Sequence, residues 1–182
     1  MTIFRYLAIV LFLILPAQAD AQLYRTDNGK AVFYSKVPLY TFSGESKYLV
    51  GQIDPDKKIV DFYLDLTTLD SGLEKRDRDM REVLETDEYP FAEFYGELIS
   101  DFNPGLKDTQ NVLVKGDFTI HGVTKEMEIK GKLTPSDEGI HLIAKWIVRL
   151  EDHDIIPPKL LFVKVDQEQE IEIETLLKPK EN

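Results

Sequence analysis

Apolar and polar residues alternate with a period of two over most of the chain, the spacing of half-buried strands. Ala31, Phe33, Ser35, Val37 and Leu39 fall on one side of a first strand. "SGES" at Ser43 to Ser46 carries a turn signal, and Tyr48 to Ile53 reads as a second strand. "DPDKK" at Asp54 to Lys58 is a hairpin turn. Val60, Phe62, Leu64 and Leu66 then alternate with Ile59, Asp61, Tyr63 and Asp65. After a break the alternation resumes. Phe91 to Ser100 is a strand, and Val112, Val114, Phe118 and Ile120 face one way in the next. "HGVT" at His121 to Thr124 turns the chain tightly. Met127, Ile129, Gly131 and Leu133 alternate with Glu126, Glu128, Lys130 and Lys132. Ile140, Leu142, Ala144, Trp146, Val148 and Leu150 form the apolar side of a long strand, and Ile171, Ile173 and Thr175 that of a last one.

The break holds the one helical pattern. Ser71 and Glu74 have the spacing of a capping box. Leu73, Met80 and Leu84 then share a helical face, with Val83 beside them. Tyr89-Pro90 ends the segment, because the residue before proline is pushed towards extended geometry. About eight strands at hairpin spacing fit either a sandwich or an antiparallel barrel. Long strands favour the barrel, since closure removes edges that invite pairing between chains. The expected fold is all-β with one inserted helix, an eight-stranded antiparallel β-barrel.

The first residues break this pattern. Arg5 precedes an unbroken apolar run, Tyr6 to Leu15. Pro16 and the small residues of "AQADAQ" follow, with A-x-A sites ending at Ala19 and Ala21. This is the layout of a secretory signal peptide, too short for a comfortable membrane span. Residues 1–21 are therefore expected to be a signal peptide, cleaved after Ala19 or Ala21. Residues 22–182 are expected to be the barrel domain, periplasmic or secreted, with no stable membrane insertion after cleavage.

The chain has no Cys, which excludes disulfides, thiol chemistry and a lipid-modified cysteine anchor. Its 33 acidic and 22 basic residues give a net charge of −11, and no basic stripe offsets it. Nucleic acid is not an expected partner.

The charged run Glu74, Arg76, Asp77, Asp79, Arg81, Glu82 and Glu85 invites an acid–base reading. That chemistry needs groups that converge on one point, whereas residues around a helix diverge. Glu74 with Arg78, and Asp77 with Arg81, instead have the i, i+4 spacing of pairs that support a solvated helix. Arg76 or Asp77 is expected to tie the helix to neighbouring backbone. His121, His141 and His153 are scattered singly, without metal-ligand spacing. His121 falls in a turn, His141 on an outward face, and His153 in a polar loop. No nucleophile elbow, phosphate loop or dinucleotide fingerprint appears. No catalytic residue, metal or cofactor is expected, and the protein is not expected to be an enzyme.

Two stretches, in this order, resemble the YceI family of exported bacterial proteins. Gly72 to Phe94, "GLEKRDRDMREVLETDEYPFAEF", is similar to that family's G-x-E-x-R-D segment and the acidic-x-Y-P segment after it. Val114 to Ile129, "VKGDFTIHGVTKEMEI", is similar to its T-I-H-G-V-T-K turn. With the strands around them the resemblance spans roughly Leu23 to Leu177. It implies a lipocalin-like barrel whose apolar tunnel holds a polyisoprenoid or similar long-chain lipid. One departure is that the first long strand lacks the His residues many members carry there.

The residues alone leave a filled core and a ligand tunnel equally open, since small barrels do both. Gly116 and Gly131 either open space inside or permit the sheet to coil. The tunnel that the resemblance implies takes its candidate lining from the apolar faces. On the walls these are Phe62, Leu64, Phe118, Ile120, Met127 and Ile129, then Leu142, Trp146 and Val148. On the helix they are Met80 and Leu84. The function expected is an exported binding protein holding a long-chain lipid or isoprenoid for transport, storage or stress protection, as a monomer or homodimer. An enzyme acting on such a lipid, or a packed barrel acting through protein contacts, are the alternatives. For the last, "DIIPPKLLF" at Asp154 to Phe162 is the candidate contact patch, or else a second rim loop.

Overall fold

Strands β1 (Tyr24–Val37) and β2 (Tyr40–Asp54) open a closed antiparallel barrel in the computed structural model, which describes residues 22–37, 40–157, 159–160 and 163–180. β3 (Ile59–Asp65), β4 (Phe91–Leu98), β5 (Gln110–Ile120), β6 (Val123–Ser136) and β7 (Gly139–Arg149) follow as a meander. A small hairpin, β8 (Lys159–Leu160) and β9 (Val163–Lys164), stands apart. β10 (Glu168–Pro179) pairs with β7 on one side and β1 on the other, closing eight strands into a ring. The expected eight-stranded antiparallel barrel is what forms. The signal-peptide reading of residues 1–21 and the place of Leu39 lie outside the described residues.

Each strand sends alternate side chains inward. Phe62, Leu64, Phe94, Leu98, Phe118, Ile129, Leu133, Leu142 and Val148 are all buried, while their neighbours face water. The hairpins at Val37–Tyr40, Asp65–Phe91, Ile120–Val123 and Arg149–Glu168 all lie at one end, termed the upper end here. Helix α1 (Glu74–Val83) and a 3-10 turn (Leu150–His153) are both inserted at that end.

Several local expectations are corrected. "SGES" is not a turn: it lies within β2, and Gly44 pairs with Phe33. A side chain there would strike the Phe33 ring, so glycine permits close approach. The backbone of Glu45 exchanges two 2.9 Å hydrogen bonds with Asp70, clasping the approach to α1 against β2. The capping box does not form either. Leu73 occupies the N-cap without a side-chain bond, and Ser71 donates from its N–H and its hydroxyl to Asp77, at 2.9 and 2.5 Å. Asp77 thus ties the helix to neighbouring backbone, as expected, and is not engaged with Arg81. The ion pair on α1 is Lys75–Asp79, at 2.7 Å.

The β6–β7 seam parts at the upper end. Pairing runs from Ser136↔Gly139 to Lys130↔Lys145 and no further, although both strands continue. His153 fills the wedge. It is 2 % exposed rather than set in a solvated polar loop, its Nδ1 donates to the Val123 carbonyl at 2.9 Å, and Phe118 packs edge-on against its ring. His121, in the β5–β6 turn, donates from Nδ1 to the His153 carbonyl at 3.1 Å and lies 3.2 Å from the Glu85 carboxylate through Nε2. One imidazole therefore links the end of α1 to the loop after β7. His141 is exposed, as its strand parity requires.

Candidate functional site

Closing eight strands leaves an interior that side chains fill only if they are large and evenly spread. Here small residues, Ala31 on β1, Ala144 on β7 and Gly131 on β6, take inward positions at one level of the barrel, and a cavity of about 580 Å³ remains. That volume is in the range of single small-molecule sites, roughly 300–1,000 Å³. The cavity runs from the upper mouth, lined by Tyr40, Phe42, Leu73 and Met80, to a floor of Leu49, Ile53, Leu98 and Leu133. Leu98 and Leu133 are 1 % and 0 % exposed, so the floor is sealed hydrocarbon.

α1 covers the mouth with one face. Leu73, Arg76, Met80, Val83 and Leu84 all reach the cavity, at the i, i+3, i+7, i+10 and i+11 spacing of one helical stripe. None of the helix residues is fully buried, and Leu73 is 55 % exposed. The helix rests on the opening without being packed into it, which is the character of an element that opens at low cost. The Arg76 guanidinium lies 4.5 Å over the Phe42 ring, pinning α1 to β2. On the opposite rim the loop after β7 contributes Ile155 and Pro157, while Ile156 points out, 84 % exposed. This part of "DIIPPKLLF" is thus a rim loop; Pro158, Leu161 and Phe162 lie outside the described residues.

Charge is confined to the rim, at Glu74, Lys75, Arg76, Asp79 and Glu93. Inside, two polar atoms stand out. Ser35 and Trp146 border the cavity, but Ser35 Oγ and Trp146 Nε1 are themselves occluded from it and have no hydrogen-bond partner among the described residues. Lower down, the Thr175 hydroxyl donates to that of Thr26 at 2.8 Å, so buried hydroxyls there are satisfied. Among the described residues, no three His, Asp or Glu converge in a metal-binding group.

The structure places Phe62, Leu64, Phe118, Ile120, Ile129, Leu142, Trp146 and Val148 on the cavity wall, and Met80 and Leu84 under the helix. Met127 is a correction. Its register partner Gly116 gives it inward parity, but it stands where β6 has parted from β7, and it packs against the edge of the core without bordering the hollow. It is half-buried and lines a shallow outer groove with Ile147 and His153. Phe94, Ile171 and Ile173 line the cavity although the sequence did not single them out as lining. Their own alternation marks them as inward, and no local signal separates lining from packed core. Gly131 lines the hollow, whereas Gly116 lets β4 and β5 approach.

The YceI-like domain family matches residues 24–177. A UPF0312 protein of Vibrio parahaemolyticus is 31 % identical, over 69 % of this chain and 69 % of that one. A polyisoprenoid binding domain from Saccharophagus degradans, implicated in plant cell wall breakdown, superposes with a TM-score of 0.74 at 14 % identity, covering 87 % of this chain and 98 % of that one. BcnA of Burkholderia cenocepacia gives 0.67 at 17 % identity, covering 80 % and 94 %. A Campylobacter jejuni YceI protein gives 0.57 at 14 % identity over the whole of both chains. At such identities the superpositions speak to the fold.

Proposed function

The chain belongs to the YceI-like domain family, and from that footing we propose that it is an exported binding protein that encloses the tail of a long-chain lipid or isoprenoid in its barrel. The observation that carries this is the 580 Å³ hollow, walled by hydrocarbon from mouth to floor. The polyisoprenoid binding domain among its structural neighbours shares the barrel, which supports the same reading.

Apolar area supplies the affinity. Burying ten methylenes at about 0.8 kcal/mol each contributes roughly 8 kcal/mol gross, near micromolar before ordering costs. No catalytic group is required, and the floor offers hydrocarbon where an acid or base would have to converge. The residues before the barrel, read as a signal peptide, send the protein to the periplasm or the medium. There it carries or stores a lipid that water would otherwise exclude.

Organic extraction of protein expressed with its signal segment in a Gram-negative host, followed by mass spectrometry, tests this. A stoichiometric long-chain lipid in the extract is the expected result. A clean extract, from protein that also fails to take up added lipid, overturns it.

A further inference from the structure

α1 and the loop after β7 border the mouth from opposite rims, with Leu84 on one and Ile155 on the other. His121 touches the residue beside each. Its Nε2 lies 3.2 Å from the carboxylate of Glu85, which follows Leu84, and its Nδ1 lies 3.1 Å from the carbonyl of His153, just before Asp154 and Ile155. The His121 side chain is only 12 % exposed, so water does not readily replace either partner.

Local preferences account for neither residue. Glu85 has a φ of 48° just past the end of α1, a position where glycine is usual. A carboxylate at that end also opposes the helix dipole. His121 and Gly122, with φ of 54° and 70°, are the central residues of a tight turn that asparagine before glycine ordinarily fills. A Cβ on Gly122 would stand 2.6 Å from the Tyr89 ring, so the turn is pressed against the segment that follows α1. Tyr89 in turn meets the His121 ring edge-on at 5.3 Å. Contact between His121 and Glu85 gives both residues a reason to be where they are.

Two acceptors face this one imidazole. A neutral ring carries a single N–H, and only the protonated ring carries two. With the proton on Nδ1, a bare Nε2 faces the Glu85 carboxylate, acceptor against acceptor. With it on Nε2, the bond to the loop after β7 is lost. The surrounding charge favours the cation. Glu88, bonded to the Tyr89 hydroxyl at 2.8 Å, adds negative charge on the α1 side. Asp152 and Asp154 flank His153 on the loop side, and the His153 ring is turned to the Val123 carbonyl. Lys125 and Arg149 border the seam groove beside His153. Among the described residues Glu85 has no other ion-pair partner.

We propose that protonated His121 latches the end of α1 to the loop after β7, and that loss of the proton frees one of the two and speeds passage through the mouth. This rests on the lipid-binding reading above and adds a control on release. Histidine ordinarily changes charge between about pH 5 and 8, so the latch is closed in acid and loose above neutrality. Glu85 is a positioning partner, 57 % exposed, which keeps the effect on the release rate to about threefold.

Stopped-flow dilution of protein loaded with N-phenyl-1-naphthylamine, an apolar fluorescent probe, tests the latch. Wild type is expected to release the probe about threefold faster at pH 8 than at pH 5.5. His121→Asn suits the turn and removes the titrating ring; it is expected to release fast at both pH values. Glu85→Gln is expected to do the opposite. Its amide donates to the bare Nε2, so neutral His121 keeps both bonds and release stays slow at both. Equal wild-type rates, a pH dependence that survives in His121→Asn, or fast release by Glu85→Gln at pH 8 overturns the latch alone. Glu85→Gln decides by itself should His121→Asn fold poorly. Wild type that never takes up the probe sinks the lipid-binding reading. The latch is then read from amide exchange at residues 84–89, corrected for intrinsic base catalysis. Exchange that quickens from pH 5.5 to 8 in wild type and not in Glu85→Gln upholds it, and any other pattern overturns it.

Discussion

Gly96 and Gly116 face each other across β4 and β5, and a Cβ built on Gly96 would stand 2.5 Å from the Lys115 carbonyl oxygen and 2.8 Å from the Gly116 Cα. Both positions have inward parity, between the buried pair Phe94–Phe118 and the pair of buried Leu98 with half-buried Val114. The obstruction is backbone, which cannot move aside as a flexible side chain would. Gly96→Ala and Gly116→Ala are each expected to destabilise the barrel by about 1–3 kcal/mol or more. Gly105→Ala, in an exposed loop, serves as the control in the same urea melts.

Asp77 holds the approach to α1 through Ser71. Asp77→Ala is expected to cost about 1 kcal/mol locally, as the loss of a helix cap does. Hydrogen exchange at residues 71–77 should quicken while the barrel strands keep their protection. A bound lipid should also dissociate faster, because α1 covers the mouth. Uniform exchange throughout the chain would instead make Asp77 a global stabiliser.

Asp54 closes the β2–β3 turn. Burial raises its carboxyl pKa, but the Lys57 N–H at 2.9 Å and the Lys57 ammonium at 3.1 Å outweigh that and hold it below the ordinary aspartate value. A lowered folded-state pKa contributes stability above the unfolded value, about 3.9, and that contribution is lost as pH falls through the folded one. Asp54→Asn should lower Tm at pH 7 by roughly 2–4 °C. The gap from wild type should close as melts are repeated down to acid pH. A gap independent of pH would assign the effect to packing.

Ala144 faces Gly131 across β6 and β7, and both border the hollow. Ala144→Phe places a ring in that space. Tail binding is expected to fall at least tenfold while thermal stability holds or rises by about 0.5–2 kcal/mol, as cavity-filling changes do. Lipid uptake at wild-type affinity would mean the tail lies elsewhere.

The barrel was legible because period-two alternation is a local property. Phe62 and Leu64, Ile129 and Leu133, or Leu142 and Val148 announce one buried face without reference to any other strand. "SGES" was misread because its glycine serves Phe33 on a neighbouring strand, a contact no window along the chain contains. The helix was found from Leu73, Met80 and Leu84, but its cap was not, since Asp77 rather than Glu74 reaches back to Ser71. Met127 does not border the hollow for a related reason: alternation gives the side of the sheet a residue takes, and the parting of β6 from β7 above Lys130, which leaves Met127 at an opened seam, is not written in it. Whether the inward residues meet or leave a hollow depends on how small residues from several strands fall at one level. Ala31, Gly131 and Ala144 do so here through register.

Trp146 is the single tryptophan of the chain and borders the cavity, so its fluorescence reports on what enters. Titration with a fatty alcohol brominated along its chain tests the central claim most directly, because bromine quenches at contact. Saturable quenching, lost in Ala144→Phe and absent with free bromide at the same concentration, is the result the account predicts. Binding of the brominated alcohol with Trp146 emission unchanged would place the tail outside the barrel and contradict it.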